Sequence, residues 1–453
     1  MECSPQKIYI NFFDIVISGL NMVLLTTKMR INPTKKQEKL LWELSNTCRL
    51  LYNQALTERK YLYEAYRCSI LYTDQQNALP QLKKQYPRYQ SVYSKVLQMT
   101  LKKLDGAFKA YFGLRKKGDT TAKWPTFRGK KYFFTLCYNQ SGFKLTPQTI
   151  RLSHKHPSRT ELVFSVPFDL TRYQVKQIEL FFDRYENQFY LTVTYDQPEP
   201  PFEDNGLYQA FDLGTVKHTA VNLHGKFLES TVKRADKYWE PKFQSLQKRK
   251  DHCKKGSKRY RLLSQRLLTI KRKCRNQTKD WQHKQSKNLV QNTKANTIVV
   301  GDLSPKQMTK TGRKKGNSMK YQKSLNRGVH NTGHLSRFVE LLTYKAKLQG
   351  KKVIAIDERN TSKTCAVCGH QKKAMSLSER LYQCEVCGIV RDRDQNAAIN
   401  IMKRFLSQNA LWTGYQYFCN RIANLRYTVN GEMKGSLHSS GEGFSELVES
   451  HLL

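Results

Sequence analysis

The sequence predicts a multi-domain α/β protein, in which a β-barrel and a helical bundle accompany an α/β domain with a small cysteine-held insert. Three observations lead there. The chain has 453 residues, room for about three domains of ordinary size. Its hydrophobic periodicity changes along the chain, from helical stripes to short β-type runs and then to strands alternating with long helices. Towards the far end, Cys365, Cys368, Cys384 and Cys387 fall as two C-x2-C pairs with fifteen residues between them.

Composition narrows the function. Lys plus Arg number 79 against 36 acids, a formal charge of +43. A folded chain so basic calls for a polyanionic partner, nucleic acid before membrane. The other seven cysteines (Cys3, Cys48, Cys68, Cys137, Cys253, Cys274, Cys419) show no framework spacing, so a reducing, cytoplasmic compartment is expected. Residues 8–25 are interrupted by Asn11 and Asp14 and barely reach spanning length. They lack the basic front and small-residue cleavage pattern of a signal peptide. Residues 1–21 carry no readable pattern, and Met22 is an alternative start.

Met22–Ile31 reads as a strand. Thr34 with Gln37 then makes a capping box for a long helix whose buried face is Leu41, Leu44, Cys48, Leu51 and Ala55. Leu97, Leu101, Leu104, Phe108 and Tyr111 mark a second helix, giving a helical lobe over 35–119. Residues 22–34 and 120–200 are expected to form the barrel, with strands at Leu162–Val166, Gln177–Asp183 and Phe189–Tyr195. Within it, Trp124, Phe127, Arg128 and Lys130 interleave aromatic and basic side chains, as a nucleic-acid surface does. The same run also fits a hairpin with buried aromatics, and both readings stay open. Asp196–Pro201 reads as a linker.

The α/β domain is expected over 204–360 and 390–405. It begins with a strand ending at Asp212, the turn Leu213-Gly214-Thr215 and a returning hairpin, the way RNase H-like folds begin. Residues 231–290 form a basic helical stretch including Lys254, Lys255, Arg259, Arg272 and Lys273. Its scarcity of acids points to phosphate contact over internally paired surface charge. Thr297–Val300 is a buried-type strand, 306–327 a loop, and Leu335, Phe338, Leu342 and Ala346 a helix closed by Gly350. Residues 406–453 are expected to be a disordered tail.

The four paired cysteines have the spacing of a zinc ribbon, expected over 361–389, in which each C-x2-C turn offers two thiolates. Four thiolates leave no position for water, so the zinc is structural. Its flanks end in carboxylates: Asp357-Glu358 before it, and Asp392-Arg393-Asp394 after it. Separated carboxylates that converge can hold hard cations. Taken singly, Asp212 could serve a turn and Asp394 a helix cap; in this order around a ribbon the cation-site reading is favoured.

With these pieces in order, the chain resembles the TnpB family, transposon-encoded relatives of compact type V CRISPR effectors. The likeness rests on Asp212-Leu213-Gly214, Trp281-Gln282-His283-Lys284, Ile298-Val299-Val300-Gly301-Asp302-Leu303, Thr361-Ser362-Lys363-Thr364-Cys365 with the remaining zinc cysteines, and Asp394-Gln395-Asn396-Ala397-Ala398. It implies a RuvC-like RNase H nuclease domain, a wedge-like barrel lobe and a helical recognition lobe. It also implies cleavage of double-stranded DNA chosen by a guide RNA from the transposon end. Asp212 and Asp394 would be the first and third RuvC carboxylates, and Mg2+, two ions about 3.5–4 Å apart, the catalytic cofactor. One departure stands out. The family usually has Glu before Asp-Leu on the strand at 297–303, where this chain has Gly301. Glu358 is the candidate replacement, with Asp302 as an alternative. The remaining readings are a nuclease-dead, RNA-guided DNA-binding repressor and an unguided zinc-ribbon DNA-binding transposase.

Overall fold

The computed structural model describes residues 21–302, 335–376 and 379–423. The expectations for residues 1–20, the 306–327 loop and residues 424–453 lie outside them. The chain divides into two compact units, one spanning Met22–Gln197 and one running from Pro198 onward.

The first unit opens with β1 (Met22–Ile31), whose alternation buries Val23, Met29 and Ile31. Helix α1 (Lys35–Tyr66) starts at the expected capping box: Gln37 N–H donates to Thr34 Oγ1 and Thr34 N–H to Gln37 Oε1. Two short helices, α2 (Tyr72–Asn77) and α3 (Leu79–Gln85), lead to α4 (Ser94–Lys116). The stripes of α1 and α4 face one another. Leu41, Leu44, Cys48, Leu51 and Ala55 are buried with Leu97, Leu101, Leu104 and Phe108. The strands are β2 (Leu136–Asn139), β3 (Phe143–Leu145), β4 (Thr149–Leu152), β5 (Leu162–Ser165), β6 (Gln174–Asp183) and β7 (Gln188–Pro198).

These strands do not close into the expected barrel. They form an open four-stranded sheet, β1-β7-β6-β2, and a separate three-stranded antiparallel sheet, β3-β4-β5. Closure requires the two edge strands to pair with each other. Here β2 is only four residues long and packs on α4. Strand β7 also runs on through the Asp196–Pro198 segment expected to be linker.

The second unit is built on a five-stranded sheet. Its strands are β8 (Tyr208–Leu213), β9 (Lys217–Asn222) and β10 (Phe227–Thr231), then helices α5 (Ala235–Asp251) and α6 (Lys258–Asn292). After them come β11 (Thr297–Gly301), α7 (Leu335–Lys347) and β12 (Lys352–Ile356). The order across the sheet is β10-β9-β8-β11-β12. The β9 and β10 pairings are antiparallel, and β8, β11 and β12 run parallel. A ribbon hairpin, β13 (Leu381–Gln383) and β14 (Val390–Asp392), precedes α8 (Arg393–Gln408) and α9 (Trp412–Ala423).

Period-two alternation assigns the two faces. Phe211, Leu213, Ile298 and Val300 pack with Leu289, Val290, Phe338 and Leu342 of α6 and α7. Tyr208, Ala210, Val299 and Ile356 pack with Ala398, Ile399, Met402 and Phe405 of α8. Helix α9 corrects the disordered-tail expectation for residues 412–423. Its Phe418 and Ile422 are buried in that same α8-facing core, which gives the segment a reason to fold.

Candidate active site and metal centre

The parity that buries Tyr208 and Ala210 under α8 places Asp212 on the same face. Val299 does the same for Gly301, and Ile356, the last residue of β12, stands beside Gly301 in register. The carboxyl ends of parallel strands are where α/β sheets place ligands. Helix α8 crosses this end with Asp394 in its first turn.

Gly301 and Glu358 fit one another. A Cβ built on Gly301 would collide with Glu358 Oε2 and stand 3.0 Å from both Cβ and Cδ of Glu358. The glutamate side chain thus fills the room that the absent side chain at 301 leaves. Asp302, the alternative, is exposed at the strand end.

Electrostatics tie the three acids together. Asp212 has its pKa pushed up to about 8, first by the protein crowding it, then by the charges of Asp394 and Glu358. It retains some solvent contact nonetheless. Glu358 is raised to about 7 by burial and by Asp302 and Asp357. Asp394 is raised by burial and Asp392, against the pull of Lys217 and Arg380. Asp212, the most crowded, takes the proton that the mutual repulsion demands. Repelling carboxylates on a partly open face fit a divalent cation, which would relieve the repulsion. Among the described residues, only the four paired cysteines form a group of three or more such ligands with all donor atoms within 4.8 Å. The carboxylate oxygens of Asp212, Glu358 and Asp394 therefore do not all lie within 4.8 Å of one another.

The thiols converge. Cys365 Sγ lies 3.6 Å from Cys387 Sγ, and Cys368 Sγ 3.5 Å from Cys384 Sγ. Tetrahedral zinc with Zn–S bonds of about 2.3 Å needs edges near 3.8 Å, so the cluster can hold such an ion. Gly369 and Gly388 close the two turns at φ +78° and +69°, a region that suits residues lacking Cβ.

Hydrogen bonds join this centre to the carboxylates. Asn396 Nδ2 and Asn400 Nδ2 each donate to Thr364 O at 2.7 Å, and Asn400 also to Thr361 O at 2.7 Å. Ala366 N–H donates to Asn396 Oδ1 and Lys403 Nζ to Ala366 O. Thr361 Oγ1 in turn donates to Glu358 O at 2.8 Å. Helix α8 therefore carries Asp394 and, through its polar face, holds both the first thiol knuckle and the backbone of Glu358.

The expected nucleic-acid residues divide. Trp124 is half-buried beside Tyr63, Phe108 and Tyr111, and its indole N–H donates to Tyr111 Oη. Arg128 lies against Tyr52 and Tyr132, and its backbone pairs with Asn53 and Arg49. Both are committed to packing. Phe127 and Lys130 are exposed, Phe127 with Lys60 over its ring. Lys254 and Lys255 are exposed in the α5–α6 turn. Arg259 joins Arg249, Lys258 and Arg266 around a cleft of about 360 Å³ between those helices. Lys273 is exposed near Trp239, while Arg272 is half-buried. Trp281 stacks on Phe338, so that motif serves the packing of α6 on α7. Lys217, Glu229 and Asn400 were missed by sequence reasoning. Asn400 follows Asn396 by one helical turn, a spacing that could have flagged it.

Residues 336–401 match the family described as Cas12f1-like, TNB domain, and residues 22–79 one described as Helix-turn-helix domain. A TnpB-like protein of Methanocaldococcus jannaschii is 31% identical over 206 residues, 45% of this chain and 66% of that protein. A TnpB-like protein of Acanthamoeba polyphaga mimivirus is 35% identical over 148 residues, 33% of this chain and 26% of its own. This chain belongs to the TnpB family. A further relative spans most of its length: a Streptomyces pristinaespiralis protein, provisionally named an RNA-guided DNA endonuclease, is 25% identical over 85% of this TnpB-family chain and 90% of its own. The fold is also that of the protein chain in the solved Cas12f1-sgRNA-target DNA complex, with a TM-score of 0.53 at 14% identity, covering 84% and 98% of the two chains.

Proposed function

We propose that this chain is an RNA-guided DNA endonuclease of a transposable element, with Asp212, Glu358 and Asp394 as its catalytic carboxylates. The observation that carries the reading is Glu358 seated over Gly301, on the face that bears Asp212. The sheet order β10-β9-β8-β11-β12, with β9 alone antiparallel to both neighbours, supports an RNase H-like, RuvC-type domain. The Streptomyces relative, named for RNA-guided DNA cleavage, supports the reaction.

Asp212, Glu358 and Asp394 would hold divalent ions, with Mg2+ suited to a site of few carboxylates. Such ions, when bound, supply activation of water and stabilisation of the departing 3′ oxygen. The chain's own residues place the acids: Thr361 fixes the backbone of Glu358, and the cap of α8 orients Asp394. Zinc at the four cysteines would keep the two flanks in register. The cations of α5 and α6 would hold the backbone of a guide–target duplex, with base pairing choosing the sequence. The guide would come from the transposon end.

The test is cleavage of a plasmid carrying the matched target, by protein purified with its co-expressed RNA. Wild type should cut in Mg2+. Asp212→Ala and Glu358→Gln should each lose about 100-fold or more while still binding the target. Full cutting by Glu358→Gln would remove Glu358 from the site. Metal-independent binding without cutting by wild type would favour the repressor reading that Gly301 suggests.

A further inference from the structure

Lys217 stands five residues after Asp212, at the start of β9. Its Nζ lies 2.9 Å from Glu229 Oε1, 3.1 Å from Asp392 Oδ2 and 3.9 Å from Asp394 Oδ2. The four side chains are between 16 and 31% exposed, so water screens these contacts less than it would a surface pair. Asp392 is also the cap of α8, where its Oδ1 accepts from the N–H groups of Asp394 at 2.9 Å and Gln395 at 3.0 Å. Gln395 Nε2 closes the circuit by donating to Glu229 Oε1 at 3.2 Å. One ammonium thus ties β9, β10 and the first turn of α8 together. Arg380, also paired with Asp394, approaches only to 4.0 Å and is 57% exposed.

Resting on the carboxylate site proposed above, we infer that Lys217 is a positioning residue: it fastens the first turn of α8 to the β9–β10 hairpin and so sets where Asp394 stands relative to Asp212. Asp212 is the register partner of Thr219 on β9, two residues from Lys217 on the same face, so the fastening acts next to the site. Without the ammonium, Glu229, Asp392 and Asp394 repel one another, and the turn carrying Asp394 moves away. An ordinary ion pair would contribute stability alone. A positioning contact also governs the affinity of the site for its cation, and contacts behind a ligand typically carry about 10–100-fold of affinity.

The test is calorimetric titration of Mn2+ into the purified RNA-bearing protein, with Asp212→Ala supplying the background from RNA. Lys217→Met should weaken the Asp212-dependent binding by about 10–100-fold and slow cleavage, with zinc content and target binding as in wild type. Lys217→Arg should restore most of the affinity. Unchanged Mn2+ binding in Lys217→Met would overturn the inference. So would tighter binding, which would mark Lys217 as a competitor for the cation. If wild type and Asp212→Ala bind Mn2+ alike, the carboxylate site itself falls, and the fastening with it. Should Lys217→Met fail to fold, Glu229→Gln loosens the same contact from β10, with the same loss expected and the same null result overturning it.

Discussion

Gly301 ends β11 on the face of Asp212, and Glu358 reaches from beyond β12 into the room a side chain at 301 would need. Even the smallest addition there displaces the glutamate. Gly301→Ala should therefore cut guided cleavage about 10–100-fold with zinc retained, and Gly301→Glu combined with Glu358→Ala should recover part of it, both scored by plasmid linearisation. Protonation gives a second handle. Burial and neighbouring charge push Asp212 up to about 8 and Glu358 up to about 7, and a protonated carboxyl is a poor ligand. Cation affinity should therefore rise from pH 6 to about 8, as Mn2+ titrations at several pH values would show. His218 gives a third, read in stability. It is buried against Trp281 and Phe338, neither ring nitrogen has a partner among the described residues, and burial lowers it to about 4. A lowered imidazole contributes stability above its unfolded value near 6.5, and that contribution fades as pH falls towards 4. Relative to wild type, His218→Leu should thus gain about 2 kcal/mol between pH 6.5 and 5, read from paired unfolding curves. Asp212 and Asp394 were legible because each opens or closes a patterned element. Glu358 was legible only through the gap at 301. Lys217 and Glu229 were not legible, since single charges in a chain of +43 acquire meaning only when three elements meet.

Helix α8 shows what an element adds beyond its residues. Its apolar face (Ala398, Ile401, Met402, Phe405) joins the sheet core, while Asn396, Asn400 and Lys403 hold the carbonyls of the thiol knuckle. The start of the helix near Asp394 was legible. The polar face was not, because asparagines mid-helix read as poor helix formers until their partners are seen. Asn400→Leu leaves Thr361 and Thr364 with fewer donors and should cost about 1–3 kcal/mol, with zinc released faster to a chromogenic chelator. Helix α9 escaped because only Phe418 and Ile422 of its twelve residues are buried, too few to set a period. Phe418 is fully buried, so Phe418→Ala should cost about 3–5 kcal/mol in chemical unfolding. A tail that contributes nothing to the fold would show no change. The barrel failed for a related reason: alternation marks strands, but which edges pair is a long-range matter that short strands such as β2 do not encode.

Across the whole molecule the chemistry divides between charge and covalent-strength pinning. The excess of cations extends along α5, α6 and the turn between them, none of which uses the thiol cluster. The carboxylates flank it: residues 361–392 join Glu358 to Asp394, and the knuckle is held to α8 by hydrogen bonds from Asn396, Asn400 and Lys403 and by Ala366 in the shared apolar core. Thiolate-bound zinc is worth about 10–16 kcal/mol to small metal-folded modules, far more than those few hydrogen bonds. Stripping zinc with a thiol-directed mercurial and chelator, then restoring excess Mg2+, should therefore abolish cleavage while RNA stays bound. The retained RNA should wash off steeply with salt, in the way of contacts made by many cations. Returning zinc after reduction should bring cleavage back, and Mg2+ alone should not. Undiminished cutting by zinc-free protein would mean that the sheet alone sets the carboxylates, and the knuckle would then be an ornament of the fold instead of its clamp.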